Sequence, residues 1–282
     1  MSDIPMRPLG ATGLDVSILA LGGVKYNFLP DDEAAALVNR AIDLGINYID
    51  TAYGYEESER KIGLVLRDRR DEVVLATKTI RRDYDAAAAE LEQSFERLQT
   101  DYIDIVQIHD LHSEQDMATI MKPDGALKAV EELRDAGRVG FVGVTSHVDP
   151  VILARALRAY PFDTILTSLG AVHAAVRPFY DTIMPAARER NVGVLAMKVM
   201  AYGFLADHVD AALRYAMGLP GVAAAVVGVD DTAQLEQLVA IASRFKPLTD
   251  SESKKLLADA RDIYEARKDE AWFIHPEPMA IG

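Results

Sequence analysis

Residues 46–78 read INYIDTAYGYEESERKIGLVLRDRRDEVVLATK. Ile46–Ile49 is a short apolar run that ends on Asp50, with Tyr55 five positions further on. Glu57–Leu66 then carries apolar residues at helical spacing with charges between them, and Val73–Thr77 is a second Val-rich run that ends on Lys78. A short strand, an amphipathic helix and another short strand form a βαβ unit, the connection that parallel pairing requires.

The same alternation extends in both directions. Strand candidates are Ile18–Gly22, Ile46–Ile49, Val73–Thr77, Tyr102–Ile108, Val139–Val144, Thr164–Thr167, Val192–Met197 and Val222–Val227. The helical stretches that follow them are Asp31–Leu44, Glu57–Leu66, Asp85–Leu98, Gly125–Ala136, Pro150–Ala159, Pro178–Arg190, Asp207–Met217 and Asp231–Ala242, each with an apolar stripe and a charged face. Gly45 and Gly137 stand where left-handed C-terminal caps are expected, and Asp31, Asp149 and Asp231 where N-caps are. Eight βα pairs close most simply into an α/β fold of the (β/α)8 TIM-barrel type, whose functional face is the C-terminal mouth of the strands. Arg7–Val16, with Gly10 and Gly13, predicts a small N-terminal hairpin capping the barrel bottom. Beyond Leu248 a helix is expected over Ser251–Ala266, followed by the aromatic, Pro-rich Trp272–Met279. With no linker or low-complexity tract in view, one domain over residues 1–282 is the economical reading.

Composition narrows the function. The 282-residue chain carries 30 Lys and Arg against 44 Asp and Glu, a formal charge of −14 that would repel phosphate backbones, so nucleic acid is not an expected partner. The absence of cysteine excludes disulfides, iron–sulfur clusters and thiolate metal sites, and no metal is expected. Neither a signal-peptide pattern nor an apolar run of about 20 residues is present, which predicts a cytoplasmic protein with no membrane partner. Oligomeric state is left open.

Asp50, Tyr55, Lys78 and His109 all fall just past the ends of consecutive strand candidates. Together they supply what proton-coupled carbonyl chemistry needs. A tyrosine can hand a proton to a developing alkoxide near neutral pH only if its pKa is lowered, and the Lys78 ammonium favours the phenolate. Asp50 would hold that ammonium, and His109 would polarise the carbonyl oxygen. No side chain provides a hydride, so a nicotinamide must be bound across the same mouth.

The strings INYIDTAYGY at 46–55, ATK at 76–78 and QIH at 107–109 resemble the aldo-keto reductases in residue type, order and strand placement, and the likeness runs from Gly22-Gly23 to Asp231 or a little beyond. The resemblance implies Tyr55 as general acid/base, Lys78 and Asp50 as its tuning pair and His109 as the carbonyl-orienting group. It implies an oxidoreductase that interconverts a carbonyl (aldehyde, ketone or sugar) and an alcohol with NAD or NADP. GVTSH at 143–147 is similar to the segment that clamps the nicotinamide, with Thr145 and Ser146 in the clamp positions and Leu166–Thr167 where the family carries a Gln. AMKVMAYGFL at 196–205 resembles the segment that packs on the ring and cradles the pyrophosphate, which assigns Met197, Lys198 and Gly203. Gly23, Gly228, Val229, Asp231, Gln234 and Gln237 complete the implied cofactor contacts. Where NADP-preferring members offer Lys or Arg, this chain has Asp230, Asp231 and Gln234, so NAD(H) is expected to serve at least as well as NADP(H).

The family's pocket tryptophans are replaced by Val24 and Asp110, and His147 and Trp272 are further candidates for substrate contact. Tyr26, Tyr53 and His112 are expected nearby. Such a pocket favours a polar or polyhydroxylated carbonyl compound over a steroid or aromatic aldehyde. Two other readings stay open: a non-catalytic nicotinamide-binding regulatory module of the same fold, and a barrel lyase in which Lys78 or Lys198 forms a Schiff base.

Overall fold

Short Val- and Ile-rich segments become strands because their branched side chains pack on both faces of a pleated sheet, and eight of them pair here in one closed parallel barrel. The computed structural model describes residues 4–147, 149–177 and 179–269. The chain begins with β1 (Met6–Pro8) and β2 (Asp15–Ser17), followed by β3 (Leu19–Gly22), α1 (Asp31–Asp43), β4 (Tyr48–Asp50), α2 (Ser58–Arg69), β5 (Val74–Thr79) and α3 (Tyr84–Leu98). Next come β6 (Ile103–Ile108), α4 (Glu114–Ile120), α5 (Ala126–Asp135), β7 (Val139–Ser146), α6 (Pro150–Ala159), β8 (Thr164–Ser168), α7 (Ala171–Val176) and α8 (Phe179–Glu189). The series ends with β9 (Gly193–Met197), α9 (Val209–Gly218), β10 (Val222–Val227), α10 (Thr232–Ser243) and α11 (Asp250–Arg267). Strands β3 to β10 pair in sequence order and β10 closes on β3.

Side chains alternate across each strand and so sort into two cores. Ile49, Leu75, Val106, Val142, Ile165 and Val194 face the helices. Ala20, Tyr48, Ala76, Ile105, Leu166 and Leu195 fill the barrel interior, which Leu9 and Val16 close from below. Antiparallel pairing of β1 with β2 forms the expected hairpin. Its Gly10, at φ +58°, lies so close to the start of β9 that a Cβ there would stand 2.3 Å from the Gly193 amide.

Gly45 and Gly137 have φ of +91° and +73°, the left-handed caps expected of them. Asp149 and Asp231 accept hydrogen bonds from the Val151 and Gln234 amides as N-caps. Asp31 does not. Pro30, at φ −56° and ψ 155°, is the flanking residue of α1, so Asp31 falls inside the first turn, where its carboxylate meets Arg60 at 2.6 Å. Two short helices within βα loops, α4 and α7, are additional to the eight expected. Helix α11 runs one residue beyond the expected span at each end, and Trp272–Met279 lies outside the described residues. Among the described residues no helix is long and apolar enough to cross a membrane.

Candidate active site at the barrel mouth

Period two carries the interior faces of the strands upward from apolar residues to ionisable ones. On β4, Tyr48 is followed at this face by Asp50; on β5, Ala76 by Lys78; on β6, Ile105 by Gln107 and then His109. Lys78 and Gln107 are direct partners in the β5–β6 register. The polar layer is as buried as the apolar one beneath it: Asp50, Lys78, Gln107 and His109 are between 0% and 4% exposed. Their presence at the strand tips is therefore a property of the barrel interior and not of its surface.

The Lys78 ammonium donates to Asp50 Oδ2 and to the Thr51 carbonyl, both at 2.6 Å. Asp50 Oδ1 accepts from the Gln107 amide at 3.0 Å. Tyr55 comes from the β4–α2 loop, which is tied down by the Tyr53 amide on the Lys78 carbonyl and by a chain from Thr51 through Ser58 to the Gly23 carbonyl. Lys78 Nζ lies 4.8 Å from the centroid of the Tyr55 ring, and the His109 ring meets Tyr55 edge-on with centroids 5.8 Å apart. The four residues singled out from the sequence thus converge on one point.

Burial is the largest influence on each group. It raises the Tyr55 phenol above its ordinary value, although Lys78 pulls in the opposite direction. The expected lowering by Lys78 is present but outweighed. Burial also pulls the Lys78 ammonium down, yet Asp50 and Tyr55 more than offset this and keep it charged. Asp50 is raised by its desolvation, against the pull of Lys78 and Gln107. His109 is held well below its usual range by burial and by the Lys78 charge, so it is a neutral imidazole at pH 7, able to donate from one nitrogen and accept at the other. Its Nδ1 is buried without a hydrogen-bond partner.

A second polar group adjoins the first. Asp110, at φ +51°, places its carboxylate 2.9 Å from His112 Nε2 and 3.2 Å from His147 Nε2. Its amide donates to Thr145 Oγ1 at 2.7 Å, and Ser146 Oγ donates to the Leu111 carbonyl at 2.9 Å. Thr145 and Ser146, at the tip of β7, therefore brace the loop after β6. Arg82 pins the same loop by donating to the carbonyls of His109 and Asp110 at 3.0 and 2.9 Å. Among the described residues no group of three such side chains could hold a metal ion.

Met197 ends β9, and Lys198 follows at φ +59° with its Nζ 4.3 Å from the Tyr202 ring centroid. The Lys198 charge acts on Asp50 and His147, and burial pushes its own pKa down to about 8. That couples Lys198 electrostatically to the polar cluster. Gly203, at φ +96°, has nothing within 4 Å of the place a Cβ would take. Across the mouth, Gly23 sits so close to Ser58 and to Asp50 that a Cβ would fall 2.7 and 2.9 Å from their oxygens, and Val24 is 46% exposed. Gly228 and the buried Val229 lead into α10, on which Gln234 and Gln237 are exposed. The Gln234 side chain hydrogen-bonds Asp230, and Asp230 is paired with Lys25 at 2.8 Å. Trp272 lies outside the described residues.

Gln107, Arg82 and Lys25 were not singled out from sequence. Gln107 acts through a buried contact across the barrel interior to Asp50, Arg82 through part-buried contacts to the loop after the neighbouring strand, and Lys25 reaches a loop some 200 positions away. The open backbone around Gly203 and the exposed start of α10 leave room that fits a dinucleotide at the mouth.

Comparison with known proteins agrees with this geometry. L-galactose dehydrogenase of Arabidopsis thaliana is 26% identical over 96% of this chain and 98% of its own length. D-threo-aldose 1-dehydrogenase of a Pseudomonas species is 31% identical over 70% of each chain. The solved structure of the aldo-keto reductase AKR11C1 from Bacillus halodurans superposes with a TM-score of 0.78 over 91% of this chain and 96% of that one, at 24% identity. The model of the Aldo/keto reductase family matches residues 19–211, and this chain is accordingly an oxidoreductase belonging to that family.

Proposed function

We propose that the protein interconverts a polar carbonyl compound, a sugar or other hydroxylated aldehyde or ketone, with its alcohol, using a nicotinamide dinucleotide. The observation that carries this reading is the Lys78 ammonium, bonded to Asp50 and set against the Tyr55 ring with neutral His109 beside it. When bound, the dinucleotide supplies or accepts the hydride. Tyr55 gives its phenolic proton to the carbonyl oxygen as negative charge develops there. The phenol pKa is raised and not lowered as expected, but an alkoxide is a stronger base than the phenolate and still takes the proton, and Lys78 stabilises the phenolate left behind. Asp50 and Gln107 keep Lys78 in place, and His109 donates to the same substrate oxygen. Gly23, Thr145, Ser146, Met197 and Lys198 would surround the nicotinamide end, and Gly203 the pyrophosphate. Gly228, Val229, Asp231, Gln234 and Gln237 would surround the adenosine. The sugar dehydrogenases among its relatives support the substrate class.

NAD(H) is expected to serve at least as well as NADP(H), because the loop before α10 presents Asp230 and Asp231 and the nearby Lys25 is already matched by Asp230. The buried, paired state of Lys78 argues against a Schiff base there. Lys198, at about 8, is the better amine for that chemistry. Borohydride treatment with aldehyde should leave no covalent adduct on it while aldehyde-dependent NADH oxidation proceeds.

The decisive variant is Tyr55→Phe. It should fold and bind cofactor yet lose about 10²- to 10⁴-fold in kcat, because only the proton donor has gone. With the phenol pKa raised above 10.0, the protonated form persists across neutral pH. Carbonyl reduction by the wild type should then be flat from about pH 6 to about pH 9, and alcohol oxidation, which needs the phenolate, should climb with pH. Unchanged turnover in Tyr55→Phe sinks the mechanism.

A further inference from the structure

The group next to the Tyr55–Lys78 centre is unusual in what it leaves unpaired. Asp110 directly follows His109, its side chain is 3% exposed, and its backbone is held at φ +51°, a left-handed conformation that Asp tolerates better than most residues. One carboxylate oxygen is engaged by His112 Nε2 at 2.9 Å. The other, Oδ1, has no hydrogen-bond partner; His147 Nε2 lies 3.2 Å away without the alignment to bond it. His147 Nδ1 is likewise buried and unpartnered. A buried carboxylate oxygen with no donor costs free energy that the fold does not recover by itself.

Charge state sharpens what these atoms can accept. Burial pushes the Asp110 carboxyl up, but the pull of its neighbours, led by the hydrogen bond from His112, leaves the pKa below its ordinary value, so at neutral pH the group is an acceptor only. Burial pushes His147 down to about 4, so the imidazole is neutral and can both give and receive a hydrogen bond. The pair lies beside His109, whose ring touches Tyr55, and the Asp110 charge is felt at Tyr55, Lys198 and Tyr202. A neutral O–H donor that also faces an imidazole nitrogen matches both of these atoms.

We propose that Asp110 Oδ1 and His147 form a hydroxyl-recognition bracket that selects carbonyl substrates bearing a hydroxyl on the carbon next to the reacting one. This rests on the carbonyl reductase reading given above and adds to it the residues that set specificity. The hydroxyl donates to Asp110 and shares its lone pair with His147, while the carbonyl oxygen takes the bond from His109. A substrate lacking that hydroxyl leaves a buried charge unpaired, which is how a polar site rejects an apolar analogue.

The test uses the full chain with two aldehydes that differ in their hydroxyls, glyceraldehyde and propanal. For wild type and Asp110→Asn, kcat/KM is measured on both, and the selectivity ratio of one enzyme is divided by that of the other, so that intrinsic aldehyde reactivity cancels. Asn tolerates the left-handed backbone and keeps the size of the side chain. The glyceraldehyde preference should fall roughly tenfold or more in Asp110→Asn, the range expected for a lost hydrogen bond to a charged group. A change below about threefold in that ratio, whatever happens to the absolute rates, overturns the bracket, because an effect passed through His109 would strike both aldehydes alike. Should Asp110→Asn fail to fold, His147→Phe, which keeps a flat ring and removes both nitrogens, carries the same ratio test. A wild-type enzyme that reduces neither aldehyde with either nicotinamide takes down the carbonyl reductase reading itself, and the bracket with it. Reduction of both aldehydes with an unmoved ratio takes down the bracket alone.

Discussion

The two ends of the barrel are built from the same strands and treat their polar groups in opposite ways. At the lower end, the Arg7 guanidinium donates to the carbonyls of Met217 and Val222 at 2.7 and 2.8 Å and packs over Phe245. Asn47 accepts from the Ser17 amide and donates to the Asp15 carbonyl. A cavity of about 420 Å³ opens there beside Arg7, Asn191, Met217, Pro220 and Phe245, yet the charged group that lines it is already satisfied. At the upper end, His109 Nδ1, Asp110 Oδ1, His147 Nδ1 and Gln107 Oε1 are buried and unpartnered. Glu56, Asp110, Lys198, Ala201 and Tyr202 all hold positive φ in loops that follow strands. The lower end is not free of such features, since Gln99 and Asn191 hold positive φ and Thr164 Oγ1 and Ser243 Oγ are buried without partners. What distinguishes the upper end is that it gathers unpartnered atoms of ionisable side chains, His109, Asp110 and His147, beside one another, and such a cluster locates chemistry better than empty volume does.

The sharpest way to break this contrast is Lys78→Met at the mouth. Removing one partner of a fully buried ion pair leaves the Asp50 carboxylate uncompensated, at a cost of about 3–5 kcal/mol of stability, and turnover should be lost as well. Thermal unfolding and steady-state kinetics on the same preparation check both halves. A variant with wild-type stability would mean that Asp50 is protonated in the native protein, and the ion pair would then be absent.

Leu9→Ala probes the other end. Leu9 is 0% exposed and packs on Gly193, so the truncation should cost about 2–5 kcal/mol by opening a cavity beneath the barrel core. KM and kcat at a temperature where the variant stays folded should be unchanged. A selective loss of kcat would erase the division of labour between the two ends.

How far sequence reaches differs between the two ends for a related reason. Strands and major helices were legible because apolar runs and helical spacing are local, and Asp50, Lys78 and His109 were legible because they stand at or just past strand tips; Tyr55 lies in the β4–α2 loop and was legible through its spacing from Asp50 and the resemblance of INYIDTAYGY. Helices α4 and α7 were not, since seven and six residues are too few for a periodic signal, although Ser113, which accepts from the Asp116 amide, marks a cap for the first of them. Asp31 misled because an acidic residue after Pro serves equally as a cap or as a first-turn charge. Gln107 and Lys25 belong to pairings set by the curvature and closure of the barrel, and Arg82 to a contact between neighbouring loops. The direction of the Tyr55 shift was beyond sequence altogether: the neighbour that lowers it could be named, but the burial that outweighs it is a property of the assembled mouth.

The smallest expected effect separates structure from function at the rim. Asp231 caps α10 by accepting from the Gln234 amide at 2.8 Å, and it is also the loop carboxylate not matched by Lys25. Asp231→Ser keeps a side-chain oxygen at the cap and removes only the charge, whereas Asp231→Ala removes both. The Ala variant should lose about 1 kcal/mol of stability and the Ser variant only a few tenths. If the carboxylate disfavours a 2′-phosphate, both variants should lower KM for NADPH about two- to fivefold and leave KM for NADH nearly unmoved, an effect sized for an exposed charge and weaker at high salt. An Asp231→Ser enzyme whose NADPH and NADH constants keep their wild-type ratio would reduce Asp231 to a cap. The proposed use of NAD(H) would then have to rest on Asp230 and its Lys25 partner.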